Sequence, residues 1–559
     1  MSYQENYLYW KNHPDLDPSL RKELEAMSES QIEDAFFKDV KFETAGMRGL
    51  MGVGSNRLNI HTVRKATLGL VNLLNKKFPD RTPSVAIAYD NRYNSYEFAF
   101  DCAKLLASHG VKTYVFETLR PTPELSYTVR YYHCDSGIMI TASHNPKEYN
   151  GYKVYDERGC QLIPVLANEL IAEIEKIDDF ISIKPREDYD KDLVVIAGDE
   201  VDEAYLNDVL SIRINPDEKK DFRIAFSPEH GTAYLPVTRA LTRAGYDVRV
   251  VESQKDPDPA FSNTKTPNPE EPAAYEGVLA LAKEIEAELL LVCDPDGDRM
   301  GVGIRHNGEY IVLNGNQTGA LLLEYILATK KDIPSNACMF TTIVTSDLGE
   351  AVARDHGCDV EKTLTGFKYI GDKYYRYEVS HEKEYVFGYE ESYGSLIAPF
   401  VRDKDATQAC LMLSEACAYY RERGKTLLDV LNDVYARVGA YFDVQVSVLL
   451  PGADGALKLK AIMDGLREKP LVVPGFDIYR IEDYKLQTAT ENGETKPFAD
   501  YDVTDVLKYF LTDGSYIAIR PSGTEPKCKV YICAKDVTME AAKEKAEGFK
   551  KIAREALGS

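Results

Sequence analysis

One unit recurs three times along this chain, and it limits the fold more than any other feature. It is an apolar or β-branched strand, a helical stretch, a Gly-led second strand, then a third strand ending in a loop crowded with functional groups. The first copy runs through "SVAIAYDNR" near residue 84, "GVKTYVF" near 110 and "GIMITASHN" near 137. The second runs through "RIAFSPEHG" near 223, "GYDVRVV" near 245 and "ELLLVCDPDGDR" near 288, and the third through "ACMFTTIVTSD" near 337, "GCDVEKTLTG" near 357 and "EYVFGYEES" near 385. Apolar strands alternating with helices make α/β units with a mainly parallel sheet, and ligands of such sheets bind beyond the carboxyl ends of the strands. "TASHN", "DPDGDR" and "GYEES" all occupy that position, so three similar domains are expected to turn these loops into one central cleft. After about residue 425 the pattern changes, and "GAYFDVQVSVLL" through "SYIAIRPSGTEPKCKVYICAK" reads as a smaller α+β domain. The expected class is α/β, three similar domains with mixed, mainly parallel sheets plus that C-terminal domain, divided at 1–205, 206–315, 316–435 and 436–559.

A length of 559 residues suits several domains, each with its own core. No apolar run approaches the roughly 18 residues of a membrane span, and "MSYQENYLYWKNHPDL" has neither the basic start nor the apolar core of a signal peptide. Ten cysteines without a CxxC pair read as reduced thiols of a cytoplasmic protein. A net charge of −23, from 67 basic and 90 acidic residues, argues against a nucleic-acid or anionic-membrane partner. It also means that an anionic substrate would need local basic groups to reverse the field inside its site.

"DPDGDR" places Asp294, Asp296 and Asp298 on a tight turn behind the buried strand "AELLLVC". Converging carboxylates repel unless a cation neutralises them, and an all-oxygen set suits Mg²⁺ better than zinc; Arg299 beside them could touch a phosphate or balance the acids. "RPSGTEPK" offers Arg520, Ser522 and Thr524 on a turn whose backbone N–H groups can cradle a tetrahedral anion, or it is an ordinary turn with capping hydroxyls. In "GYEESYG", Glu390, Glu391 and Ser392 could accept from sugar hydroxyls or face water, and Lys368, Arg402 and Lys404 could be salt-bridged surface or anion contacts. Ser143 lacks the G-x-S-x-G elbow of a hydrolase nucleophile. His144 is its neighbour, and on an extended chain neighbours point opposite ways, so His144 is expected to be a poor base for it. What remains is a hydroxyl that carries a phosphoryl group beside the metal loop.

With these loops together, the sequence closely resembles the α-D-phosphohexomutase family, and within it the phosphoglucomutases, over nearly the whole chain. "TASHNP" resembles the family's phosphoserine loop, "DPDGDR" its Mg²⁺ loop, "GYEES" its sugar-recognition loop and "RPSGTEP" its phosphate-binding loop, all in the family's order. "FETAGMRGLMGVGSNRLN" resembles a further signature, with Glu43 before Thr44 as a departure from it. The resemblance implies four domains, three alike and one distinct, and a mechanism in which phosphorylated Ser143 gives its phosphoryl to a sugar monophosphate; because the intermediate must turn over without leaving, the fourth domain is a candidate lid. The bisphosphate, glucose 1,6-bisphosphate for a glucose enzyme, turns over and returns the other phosphoryl. The implied catalytic set is Ser143, Lys153 as general acid/base, Arg48 and His144, with Ser143, Asp294, Asp296 and Asp298 on Mg²⁺. Arg299, Thr365, Gly366, Glu390, Ser392 and Lys404 would hold the sugar phosphate, and Arg520, Ser522, Gly523 and Thr524 the phosphate not being transferred. The partners are then sugar phosphates, with the protein a monomer or dimer. Phosphomannomutase, phosphopentomutase and phosphoglucosamine mutase share the mechanism, and a sugar-bisphosphate synthase shares the loops. A catalytically dead sugar-phosphate sensor would show damaged loops, and these are intact.

Overall fold

The computed structural model describes residues 2–42, 46–450, 455–498, 501–521 and 527–558. The chain forms two compact units, Met1–Gly315 with Phe367–Thr426, and Asn316–Gly366 with Leu427–Ser559.

The first unit opens with helices Tyr3–Asn12, Pro18–Ala26 and Glu29–Phe36, begun by Ser2, Asp17 and Ser28, whose side chains accept from first-turn N–H groups. They close over Trp10, which is fully buried among Leu16, Leu24, Phe36, Val53 and Phe180. The N-terminal segment is thus helical, as its sequence suggests, and its apolar residues serve packing.

Strands β1 (Met47–Leu50), β2 (Ser84–Tyr89), β3 (Lys112–Phe116), β4 (Ser136–Ile140), β5 (Tyr149–Asp156) and β6 (Val194–Ala197) form a sheet in the order β1-β5-β4-β2-β3-β6. β4, β2, β3 and β6 run parallel, whereas β5 is antiparallel to both β4 and β1. Every residue of β4 is buried, as expected of a strand covered on both faces, and this is why it reads as an unbroken apolar run. Helices Ile60–Lys77 and Ser95–Ser108 supply Val63, Leu70, Phe98 and Cys102 to the core formed with Val85, Ile87, Ile138 and Ile140.

The second copy repeats the plan with β7 (Arg223–Ser227), β8 (Asp247–Val250), β9 (Leu289–Cys293), β10 (Met300–His306) and β11 (Glu309–Leu313), ordered β11-β10-β9-β7-β8. In the third, β12 (Ala337–Thr342) pairs parallel with β13 (Asp359–Thr363) in the second unit, and β14 (Glu384–Tyr389) folds back into β15 (Ser395–Leu396) in the first. All nine strands read from the threefold repeat are present.

The C-terminal part is different in design. Strands β16 (Ala440–Leu449), β17 (Ile478–Asp483), β18 (Thr488–Glu491), β19 (Glu494–Pro497), β20 (Leu507–Leu511), β21 (Tyr516–Pro521) and β22 (Lys527–Asp536) are antiparallel throughout, ordered β16-β22-β21-β20-β17-β18-β19. Their core includes Met463 of helix Gly455–Glu468 and Phe549 of helix Met539–Ala556.

β5, β10 and β15 each run back antiparallel beside the strand before them. The loops "TASHN", "DPDGDR" and "GYEES" are therefore hairpin connections, and the sheets that carry the first two are mixed. All ten cysteines are buried free thiols. Among the described residues no helix is long and apolar enough to cross a membrane.

Candidate active site

Ser143 lies just beyond β4 and has φ +54, in the left-handed region that a non-glycine residue enters at a cost of roughly 1–2 kcal/mol. Since a single neutral hydrogen bond contributes only about 1 kcal/mol, more than one contact is needed to fix it there. The Ser143 N–H donates to Thr141 Oγ1 at 2.8 Å, and the buried Arg92 guanidinium donates to the carbonyls of Ser143, Asn145, Pro146 and Tyr149. So held, Ser143 Oγ donates to Asp294 Oδ2 at 2.9 Å. The expectation that His144 points away does not hold, because the positive φ turns the chain and brings His144 Nδ1 to 3.2 Å from Ser143 Oγ. Burial, then the positive charges of Arg299 and Arg48, push the His144 imidazole well below its usual range, which keeps it neutral.

The aspartates occupy the β9–β10 connection, whose turn needs Gly297 at φ +67. One carboxylate oxygen from each of Asp294, Asp296 and Asp298 falls within 4.8 Å of the others, and all three residues are buried. Burial, then the charges of Asp296 and Asp298, push the Asp294 carboxyl well above the usual carboxylate range. Burial is the largest single influence on Asp296, but the ammonium of Lys153, the hydrogen bond with Asp294 and the charge of Lys404 together outweigh it and hold that carboxyl low. Lys153, carried back on β5 opposite Met139, places Nζ 2.9 Å from Asp296 Oδ2, and Lys404 places Nζ 3.0 Å from Asp298 Oδ2. The other oxygens, Asp296 Oδ1 and Asp298 Oδ1, are buried without a hydrogen-bond partner. Two orphaned oxygens beside a third crowded carboxylate fit a hard divalent cation such as Mg²⁺.

Arg48 on β1 is exposed, with Nη1 3.3 Å from Asn145 Oδ1. Arg299 gives its N–H to Asp294 Oδ1 at 3.0 Å and its guanidinium to Glu270 at 2.5 Å. Glu390 is buried in the β14–β15 connection, its N–H donating to Gly394 O at 2.9 Å, and Ser392 is half-buried in the same connection. Arg402 is no surface arginine: it is buried, and its Nη2 donates to both oxygens of Glu378 at 2.7 Å. All of these belong to the first unit. Thr365, Gly366 and the half-buried Arg520 on β21 belong to the second unit. Ser522, Gly523 and Thr524, like Glu43 and Thr44, lie outside the described residues.

Comparison with known proteins places the chain in a family. Models described as phosphoglucomutase/phosphomannomutase match in order: alpha/beta/alpha domain I over residues 39–180, domain II over 203–308, domain III over 314–438 and the C-terminal domain over 481–550. The chain belongs to the phosphoglucomutase/phosphomannomutase family. A phosphoglucomutase of Staphylococcus epidermidis is 38% identical over 530 residues, covering 92% of this chain and 95% of that protein. One of Staphylococcus aureus is 36% identical over 525 residues, covering 93% and 94%. Among solved structures, parafusin, a phosphoglucomutase from Paramecium, superposes with a TM-score of 0.68 at 18% identity, covering 93% of this chain and 95% of that one. A phosphoglucomutase/phosphomannomutase family protein from Burkholderia thailandensis gives 0.66 at 19%, covering 92% and 97%. At these identities the two structures speak for the fold.

Within this family frame, sequence reasoning passed over Asp90, Arg92 and Thr122. Asp90 and Arg92 end the first repeat strand, "SVAIAYDNR", where side chains at a strand's carboxyl end reach the neighbouring loops, and that position was the available signal. Thr122, at the start of helix Thr122–Tyr131, gives its N–H to Asp296 O at 2.8 Å and its hydroxyl to Asp296 Oδ2 at 3.1 Å. Only the fold reveals that contact, which spans 174 positions.

Proposed function

We propose that this chain is a phosphoglucomutase that interconverts glucose 1-phosphate and glucose 6-phosphate through a phosphoryl group carried on Ser143, with glucose 1,6-bisphosphate as the intermediate. The observation that carries the reading is Ser143 Oγ at 2.9 Å from Asp294 Oδ2, on the rim of a buried three-carboxylate site. The relatives named phosphoglucomutase, similar over more than nine-tenths of the chain, support the choice of sugar.

In the proposed reaction the bond between phosphorus and Ser143 Oγ breaks as one forms to a hydroxyl oxygen of the sugar monophosphate. The intermediate then turns, and its other phosphoryl returns to Ser143. Lys153, whose ammonium is hydrogen-bonded to Asp296, is suited to give a proton to Ser143 Oγ as the phosphoryl leaves and, as the amine, to regain one from the attacking hydroxyl, with the reverse order in the return step. Phosphorylation adds about −1.5 to −2 charges at Ser143, and Arg48, Arg299 and the buried Arg92 supply positive charge around it. Mg²⁺, held by Asp294, Asp296, Asp298 and the phosphorylated Ser143, would neutralise charge on the transferring group. Glu390, Ser392 and Lys404, with Thr365 and Gly366, would grip the sugar, and Arg520, Ser522, Gly523 and Thr524 the second phosphate. The divisions 1–205, 206–315, 316–435 and 436–559 are our assignment of the four domains. The buried free thiols favour a cytoplasmic protein, which we take to be a monomer or dimer.

The test is a steady-state comparison of glucose 1-phosphate with mannose, glucosamine and ribose 1-phosphates, with Mg²⁺ and trace bisphosphate. A lead of about tenfold or more in kcat/KM for glucose 1-phosphate, about 1.4 kcal/mol of transition-state preference, supports the reading. A lead for another sugar keeps the mechanism and overturns the substrate.

A further inference from the structure

We propose that Thr141 is a positioning residue, whose hydroxyl ties the buried Asp90 carboxylate to the Ser143 N–H and so keeps Ser143 in its left-handed conformation with Oγ aimed at Asp294. The inference rests on the reading of Ser143 as the phosphoryl carrier. Thr141 is 1% exposed and its hydroxyl works in both directions: it donates to Asp90 Oδ2 at 2.6 Å and accepts from Ser143 N at 2.8 Å. Asp90 is itself fixed, since its other oxygen accepts from Arg92 N at 3.0 Å and Ser95 Oγ at 2.8 Å. The Thr141 N–H donates to Gly151 O at 3.1 Å, which anchors its backbone to β5 independently of the side chain.

The relay therefore grips Ser143 by its N–H, while Arg92 grips the loop by its carbonyls. A valine at position 141 has nearly the shape of threonine but can make neither bond, so the Ser143 N–H would be buried without a partner. Nothing else described in the structure accepts from that N–H. Arg92 alone leaves the peptide between Ala142 and Ser143 unrestrained on its donor side. Thr141 acts through Ser143 and takes no part in the bonds that form and break.

The experiment combines kinetics with structure for Thr141→Val, Thr141→Ser and Thr141→Cys. In Thr141→Val, kcat for glucose 1-phosphate is expected to fall about tenfold to hundredfold while KM stays within about twofold, because the lost bonds orient the serine and not the sugar. Thr141→Ser, which keeps the hydroxyl, should recover wild-type kcat to within about threefold. If Thr141→Val does not fold, Thr141→Cys, close in size with a weakly bonding thiol, should fold and show a reduced kcat. A crystal structure of the valine or cysteine variant should show Ser143 out of the positive-φ region and Oγ withdrawn from Asp294. Retention of wild-type kcat in both variants, or of the positive φ and the Asp294 contact, overturns the proposal. So does a loss that Thr141→Ser does not rescue. Wild-type activity in Ser143→Ala would instead overturn the phosphoserine reading, and the variant structure would still decide the role of Thr141.

Discussion

Lys404 lies along the face of Gly394: a Cβ built on that glycine would fall 2.0 Å from Lys404 Cδ. The same lysine reaches Asp298 Oδ2 at 3.0 Å and Asp403 Oδ1 at 3.2 Å, so the absent side chain at position 394 sets where an ammonium group stands in the site. Gly394→Ala should displace Lys404 and lower kcat/KM about tenfold to hundredfold, the scale of a misplacement near 1 Å. Steady-state kinetics beside Lys404→Met gives the comparison, and an alanine variant with wild-type kcat/KM would refute the link.

Lys153 pairs with Asp296, and in the proposed reaction it also moves a proton. Lys153→Met is expected to lower kcat by about 10²-fold or more, the usual worth of general acid–base catalysis, with a smaller change in KM. Lys153→Arg keeps the positive charge but holds its proton too tightly to exchange it, so it should not restore kcat. Full activity in the arginine variant would reduce Lys153 to an electrostatic role.

The crowded carboxylates make a claim that can be read without catalysis. With divalent cations removed, Asp294→Asn should melt at a higher temperature than the wild type, because it relieves a carboxyl that burial and two like charges already push up. Added Mg²⁺ should raise the wild-type midpoint, as any ligand of the folded state does, by about 2.7 kcal/mol of stability at a hundred times its dissociation constant. Asp296→Ala should lose most of that gain. An unchanged wild-type midpoint with Mg²⁺ would count against a cation site here.

Glu229 sits in the loop after β7, fully buried, with Oε1 accepting from Ser227 at 3.1 Å and Oε2 without a hydrogen-bond partner. Burial pushes its carboxyl up to about 7. A group whose folded value is raised contributes stability that is complete below its unfolded value, about 4.3, and lost as pH rises through 7, at up to about 1.4 kcal/mol per unit. Glu229→Gln removes that slope. The variant should gain on the wild type between pH 5 and pH 8 when unfolding midpoints are compared, and an equal difference at both values would show that Glu229 does not titrate there.

The strands were legible because those read from the threefold repeat are apolar or β-branched runs bounded by Gly and polar turns. The direction of the strands after the functional loops was less so. "NGYKVY" and "MGVGIRH" each return antiparallel as β5 and β10, and alternation in a buried strand does not state which neighbour it joins. The nearness of Ser143 to the aspartates was legible from residue type and loop position. The geometry of Ser143 and His144 was not, since only the left-handed turn at Ser143 brings the imidazole to its hydroxyl. The Asp90–Thr141 and Thr122–Asp296 contacts span 51 and 174 positions, and no local pattern marks such pairs.

The most direct measurement is the fate of the phosphoryl group. The protein would be incubated with Mg²⁺ and glucose 1,6-bisphosphate labelled in both phosphoryl groups, mapped by peptide mass, then chased with unlabelled glucose 1-phosphate. One label per chain on Ser143, removed by the chase into glucose 1,6-bisphosphate and absent from an inactive Ser143→Ala, is the expected result. Label on another residue, or wild-type turnover in Ser143→Ala, would contradict a phosphoserine mechanism.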